Sequence, residues 1–314
     1  MQIFRSIEEI VGKFERVFLA IGVFDGVHLG HQHVIGQARD DAQSEGGASV
    51  VLTFDPHPMQ VLQPDKAPQL LTSTPHKLRL IEKLGVNACL VLGFDKAFSL
   101  LPPERFVEKV AQAIHLREIC VGTRFRFGHN RDGDVHLLKA LAPKYGFSAQ
   151  EIQPVKLDDE MISSTVIRQH VLNGRLDRAG AMLGRPFSIV GTVMAGDRRG
   201  HELGFPTANV DSHSEVLPPD GVYAVRILLG RGSLGGVANV GVRPTFEQPT
   251  AGRVLEVHIL DFDNKIYGQE IEVEFVKKLR EEQRFESIDA LKRQIAADAQ
   301  AAGKLLGNRA VSSR

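Results

Sequence analysis

In the first half of the chain, short apolar runs alternate with segments of helical spacing. RVFLAIGVF (16–24), ASVVLTF (48–54), ACLVLGF (88–94) and EICVG (118–122) are apolar stretches of strand length. Apolar residues in succession, rather than in alternation, mark strands buried on both faces. Between these runs, HQHVIGQARDDAQ (31–43), TPHKLRLIEKLG (74–85) and PERFVEKVAQAIH (103–115) carry apolar residues at three- and four-residue intervals, which predicts amphipathic helices. The strand–helix alternation predicts an α/β domain with a Rossmann-like parallel sheet and helices on both faces. A further helix is predicted over 163–173, stopped by Gly174.

The pattern then changes. FSIVGTVMAG (187–196), GVYAVRILL (221–229), LGGVANVGV (234–242), RVLEVHILDF (253–262) and QEIEVEFVKKL (269–279) are β-type runs separated by Gly, Pro, Asn and Asp turns. EVHILDF and IEVEF alternate apolar and polar residues, as half-buried antiparallel strands do. A sandwich or small antiparallel barrel is expected, followed by a C-terminal helix over 287–306. The change falls near 184–186, which divides the chain into 1–184 and 185–314. A length of 314 residues agrees with two domains.

Charge is balanced, with 38 Lys+Arg against 38 Asp+Glu. That argues against a large basic face for nucleic acid while allowing a local anion site. The two cysteines, Cys89 and Cys120, lie inside apolar runs, so neither a disulfide framework nor a CxxC metal site is expected. No secretory h-region opens the chain and no run approaches membrane-spanning length, which makes a cytoplasmic protein the expectation.

Candidate chemistry begins directly after the first long strand, at Gly22-Val-Phe24-Asp25-Gly26-Val-His28-Leu-Gly30-His31. Ligands bind at the carboxyl ends of strands in parallel sheets, and a helix N-terminus offers N–H donors to an anion. Small residues let a phosphate approach the backbone. Two imidazoles three residues apart can reach one anion, either protonated or as neutral donors. The alternative is that the histidines only cap the helix. Zinc is disfavoured, because His33 points away from His31 on a helix and no carboxylate or cysteine is suitably spaced.

Three more segments lie at comparable positions. Thr53-Phe-Asp55-Pro56-His57-Pro58 follows the second long strand and reads as a ligand loop or a rigid turn. Arg124-Phe125-Arg126-Phe127 follows the strand at Ile119 and could stack a ring system and hold phosphates. Ser163 and Ser164 open a helix with Arg168 one turn in, a setting for capping or for a triphosphate.

In the second half, Gly230-Arg-Gly232-Ser-Leu-Gly235 matches GxGxxG, but no helix follows it. A turn between strands is the better reading. Gly196, Gly200, Gly204, Phe205, Pro206, Thr207 and Asn209 read on composition as an ordinary Gly-Pro loop, or as one whose short oxygen-bearing Thr207 and Asn209 side chains suit Mg²⁺. Strict alternation puts Glu256 and His258 on one face of their strand, with Leu255, Val257 and Ile259 on the other. Both could be plain solvent-face residues, or Glu256 could be a general base.

The first motif resembles the HxGH signature of the nucleotidyltransferase superfamily. GDxxGxxLGFPTAN (196–209), Gly221-Val-Tyr223, the segment 236–246 and EVHILDF together resemble the riboflavin kinase module, a small β-barrel with a C-terminal helix. In this order the motifs resemble the bifunctional prokaryotic riboflavin kinase/FAD synthetase family over nearly the whole chain. The resemblance implies two reactions: phosphorylation of riboflavin to FMN by ATP, then adenylylation of FMN to FAD with release of pyrophosphate.

The resemblance also implies roles. Glu256 matches the general base, and Thr207 and Asn209 the Mg–nucleotide ligands. His28 and His31 match the residues that stabilise the α-phosphate, and Ser164 and Arg168 the triphosphate site. Gly22, Phe24, Asp25, Gly30, Asp55, His57, the Arg124–Phe127 segment, Gly196, Gly204, Pro206 and Arg280 complete the expected nucleotide and flavin contacts. The partners implied are riboflavin, FMN and ATP, with no nucleic acid and no membrane, and a homo-oligomer stays open. Two departures stand out: Arg124 replaces a usual Asp or Asn, and His201 a usual Arg or Lys. Reversed charge at Arg124 keeps in view a kinase with an impaired adenylyltransferase half, and a flavin-binding regulator without turnover is a separate alternative.

Overall fold

A computed structural model of the chain describes residues 1–194, 204–212, 216–230, 232–242 and 253–307. They pack as two units, residues 1–69 with 74–164 and residues 70–73 with 165–314.

In the first unit, β1 (Gln2–Phe4), β2 (Val17–Ile21), β3 (Ala48–Asp55), β4 (Ala88–Gly93), β5 (Leu116–Gly122) and β6 (Ser148–Ile152) form a six-stranded parallel sheet in the order β1-β4-β3-β2-β5-β6. The helices α1 (Ile7–Ile10), α2 (Leu29–Ser44), α3 (Pro58–Leu62), α4 (Thr74–Glu82), α5 (Lys96–Ser99), α6 (Pro103–Ala113) and α7 (Val135–Tyr145) connect them, and a small hairpin, β7 (Lys156–Leu157) and β8 (Glu160–Met161), follows. The continuous apolar run of β2 serves both faces of the sheet. Val17, Leu19 and Ile21 pack with Val107, Val110 and Leu138 from α6 and α7. Phe18 and Ala20 pack with Ile35, Ala38, Leu78 and Ile81 from α2 and α4. Helices on both faces, as the unbroken hydrophobicity predicts, are therefore present. The strand order reverses between β2 and β5, so the loops leaving their carboxyl ends flank a topological switch point.

The second unit holds α8 (Ser164–Leu172, but for Ser164 itself) and α9 (Leu176–Leu183), then the strands β9 (Ser188–Met194), β10 (Ala208–Ser212), β11 (Gly221–Leu229), β12 (Gly232–Val242), β13 (Arg253–Ile259) and β14 (Glu270–Arg280). These six strands close into an antiparallel barrel, β10-β13-β12-β11-β14-β9, which settles the expected sandwich or barrel as a barrel. Tyr223, Val225, Leu255, Val257, Val273 and Phe275 are buried. On a separate patch, Val222, Ala224 and Val237 pack against Ala302 of the C-terminal helix Ile288–Leu306. Closure depends on Gly191: a Cβ there would lie 2.5 Å from the Asp211 carbonyl and collide with Val210 across the β9–β10 seam. The GxGxxG segment is a strand-to-strand turn, with Leu229 opposite Gly232 and Gly230 at φ +58°.

Candidate active sites at two sets of strand-end loops

The loop after β2 is built to hold two histidines against each other. Phe24, Gly26 and Val27 all have positive φ (54°, 82° and 39°), an uncommon conformation for Phe and a costly one for a β-branched residue. Strain of that kind concentrates at functional sites. His28 then caps α2, its Nδ1 accepting from the His31 backbone N–H at 3.2 Å. An accepting Nδ1 leaves the ring proton of neutral His28 on Nε2. The two rings stack at 3.5 Å with 20° between planes, and Phe24 meets His31 edge-on at 5.2 Å. Burial, then the nearby His28 and Lys77, push the His31 pKa well below the ordinary histidine value. His31 is thus a neutral imidazole at pH 7. Its Nδ1 is buried with no hydrogen-bond partner among the described residues.

The glycines here serve the rings. A Cβ on Gly22 would come within 2.8 Å of the Phe24 ring, and one on Gly30 within 3.2 Å of the His28 ring. Their place in the motif, read in the sequence as room for phosphate, is first of all room for these side chains. Asp25 is buried, and its carbonyl accepts from Ser164 Oγ at 2.9 Å. Ser164 therefore ties a segment 139 residues away to the first loop, where capping of its own helix was the simpler expectation.

The loop after β3 begins at exposed Asp55. His57 caps α3, accepting from Met59 N–H through Nδ1 at 3.1 Å, and Gln60 completes a capping box. After β5, Arg124 is exposed, with no hydrogen bond or ion pair to any described residue. Arg126 bonds the Phe125 carbonyl and lies 3.8 Å from Asp134. Phe125 and Phe127 stack at 5.3 Å, and the aromatic line continues through Phe106 and Phe98 to Phe54. Arg168 is a buried residue of α8.

In the barrel, Gly196, Gly200 and His201 fall outside the described residues. The described part of their loop starts at Gly204, at φ +86°, and runs through Pro206 and exposed Thr207 into β10. Strand register then aligns the chemistry. Asn209 on β10 stands opposite Glu256 on β13, and Glu256 stands opposite Asn239 on β12. Directly opposed residues of antiparallel strands share a face. Leu255, Val257 and Ile259 are buried and Glu256 and His258 half-exposed, as the alternation predicts. Arg280, an expected ligand contact, bonds Asp298 of the C-terminal helix through Nε and Nη2 at 2.8–3.1 Å and the Glu281 carbonyl through Nη1.

Two family models match the chain, FAD synthetase over residues 12–166 and riboflavin kinase over residues 183–306. A bifunctional riboflavin kinase/FMN adenylyltransferase from Escherichia coli is 40% identical, over 93% of this chain and 94% of its own. Proteins of the same description from Haemophilus influenzae and Bacillus subtilis are each 38% identical, covering 96% and 92% of this chain and 98% and 92% of theirs. The chain belongs to the bifunctional riboflavin kinase/FMN adenylyltransferase family. A solved structure described as a macrolide-efflux protein from Streptococcus pneumoniae is 30% identical with a TM-score of 0.82, covering 96% of this chain and 97% of its own. No helix among the described residues is long and apolar enough to cross a membrane.

Beside the histidines lies a buried cation that no sequence motif marks. Lys77 on α4 points its ammonium at the Thr53 hydroxyl, the Val23 carbonyl and the Phe54 carbonyl, at 3.1–3.3 Å. It thereby links the ends of β2 and β3. Burial lowers its pKa, opposed by Asp25, Cys89 and Asp55. The available signal was a lysine at an apolar position of an amphipathic helix, between His76 and Leu78, both buried.

Proposed function

We propose that the barrel phosphorylates riboflavin and that the α/β unit adenylylates the resulting FMN, with 1–184 and 185–314 as the two catalytic halves. The observation that carries the kinase reading is the strand register that sets Asn209 opposite Glu256, two residues beyond Thr207. Glu256 takes the proton of the ribityl 5′-hydroxyl as its oxygen attacks the γ-phosphorus of ATP, and ADP leaves. Thr207 and Asn209 offer the uncharged oxygen donors that would hold Mg²⁺, and the cation would supply neutralisation of phosphate charge there.

In the α/β unit, an oxygen of the FMN phosphate attacks the α-phosphorus of a second ATP and pyrophosphate leaves. Neutral His28 donates from Nε2 to the α-phosphate oxygens, and His31 stacks against it as a second neutral donor. Half-buried Phe125, stacked on buried Phe127, offers an apolar ring for contact with an aromatic ring system. Both cysteines are buried free thiols, in keeping with a cytoplasmic enzyme.

The test is chromatography of flavins after incubation with riboflavin, ATP and Mg²⁺. FMN appears first and FAD follows. Glu256→Gln abolishes FMN formation but not FAD formation from supplied FMN, and His28→Ala with His31→Ala does the reverse. No phosphorylated flavin from the wild-type protein would overturn the assignment. FMN without FAD would mean that Arg124 has cost the adenylyltransferase half its activity.

A further inference from the structure

We infer that His258 is a positioning residue of the kinase site, holding the peptide that carries Thr207 through a hydrogen bond to the Pro206 carbonyl. His258 Nδ1 lies 2.8 Å from that carbonyl oxygen. A carbonyl only accepts, so the ring proton is on Nδ1 and His258 donates. The Phe205 ring meets the imidazole edge-on at 5.6 Å, so the residue before Pro206 is also in contact with it.

The carbonyl held is that of the Pro206–Thr207 peptide. Fixing this peptide plane fixes the direction in which Thr207 leaves the chain. Pro206 has no N–H, so it cannot anchor itself by donating. The Gly204 conformation leaves the loop free to turn just upstream. β13 thus does two jobs with alternate residues on one face. Glu256 is set opposite Asn209 by strand pairing, and His258 grips the loop at Pro206, three residues before Asn209 is reached. The proposed base and the proposed cation ligands are thereby referred to one strand, which is the kind of support a reacting geometry needs.

This inference rests on the kinase reading of the barrel, and the test separates the two. His258→Phe keeps an aromatic ring against Phe205 and removes the donor. His258→Asn removes the ring and places an amide N–H close to the Nδ1 position. The Phe variant should form FMN about five- to tenfold more slowly at saturating riboflavin, the range for loss of one hydrogen bond, with riboflavin KM unchanged. The Asn variant should stay within about twofold of wild type. FAD formation from supplied FMN should be the same in all three, and urea unfolding of the barrel in each variant serves as the folding control. Amide hydrogen exchange over the start of β10, Ala208–Val210, should quicken in the Phe variant and not in the Asn variant, a readout that needs no kinase turnover. Equal losses in both variants, or a Phe variant with unchanged exchange and unchanged kcat, would overturn the role given to the carbonyl bond. Absence of FMN from the wild-type protein would instead sink the kinase reading, leaving the exchange measurement to decide on His258.

Discussion

Replacing Lys77 by methionine separates what a buried charge does for stability from what it does for chemistry. Its ammonium makes three hydrogen bonds at 3.1–3.3 Å, to Val23, Thr53 and Phe54. Hydrogen bonds from a charged group contribute about 1.5–3 kcal/mol each, while burying the ion costs several kcal/mol. The direction of the Lys77 pKa decides which wins: it is lowered, so its surroundings favour the neutral amine more than water does. The charge therefore costs stability, and Lys77→Met should change unfolding free energy by no more than about 2 kcal/mol in either direction. The methionine fills nearly the same volume, and the Val23 carbonyl keeps its bond from Thr53 Oγ1 at 3.0 Å. Adenylyl transfer should suffer far more. The ends of β2 and β3, which launch the His28 loop and the Asp55 loop, lose their link, and a shift of about 1 Å at reacting groups costs on the order of 10²-fold. Urea unfolding and the rate of FAD formation from FMN measure the two quantities on one preparation. A loss above about 4 kcal/mol would show the ammonium to be a net stabiliser, and an unchanged FAD rate would show that the loops do not need the link.

Two further outcomes follow from the same geometry. Because the His31 pKa is lowered by burial, both folded and unfolded states are neutral there above about pH 6.5, and only the unfolded state gains a proton as pH falls below that. Stability should therefore drop by about 1.4 kcal/mol between pH 7.5 and 5.5 through this group, and urea titrations of His31→Asn should lack that portion of the pH dependence. Gly191→Ala drives a methyl into the Asp211 carbonyl and the Val210 side chain at the β9–β10 seam, so FMN formation and barrel stability should fall, by about 2 kcal/mol or more, while FAD formation from FMN persists.

What the sequence made legible was whatever depends on local pattern. The apolar runs that predicted β2 to β5 fall on the observed strands, and the alternation in EVHILDF correctly put Glu256 and His258 on one face. Gly174 ends α8 at φ +71°, as its position predicted. Five described strands escaped, β1, β6, β7, β8 and β10, and for two of them the physical reason is plain. β10 is short and follows Pro206 within a loop-like composition, and β6, SAQEI, owes its place to pairing with β5 rather than to hydrophobicity. The functional motifs were also legible, but their partners were not. Nothing in TPHK announces that Lys77 reaches the Val23 carbonyl, 54 residues away in sequence, and nothing near Ser164 announces the Asp25 carbonyl. Nor does the sequence around Arg280 announce its pairing with Asp298 of the C-terminal helix.

These long-range bonds share a form that bears on how one chain supports two chemistries. In each unit a loop with candidate ligands presents a backbone carbonyl, and a side chain distant in sequence donates to it: Lys77 to Val23 and Phe54, Ser164 to Asp25, His258 to Pro206. A loop alone has too much conformational freedom to hold a phosphate-transfer geometry, and strand pairing stops where the loop begins. A side-chain donor extends the rigidity of the scaffold by one more residue without filling the space a substrate needs. Within the described residues, Lys77 and Ser164 make these bonds inside the first unit and His258 inside the second. Loss of one donor should therefore impair one reaction and spare the other, which general unfolding would not do. That selectivity is what the Lys77 and His258 variants measure in opposite directions: the first should lose FAD formation and keep FMN formation, the second should slow FMN formation and keep FAD formation.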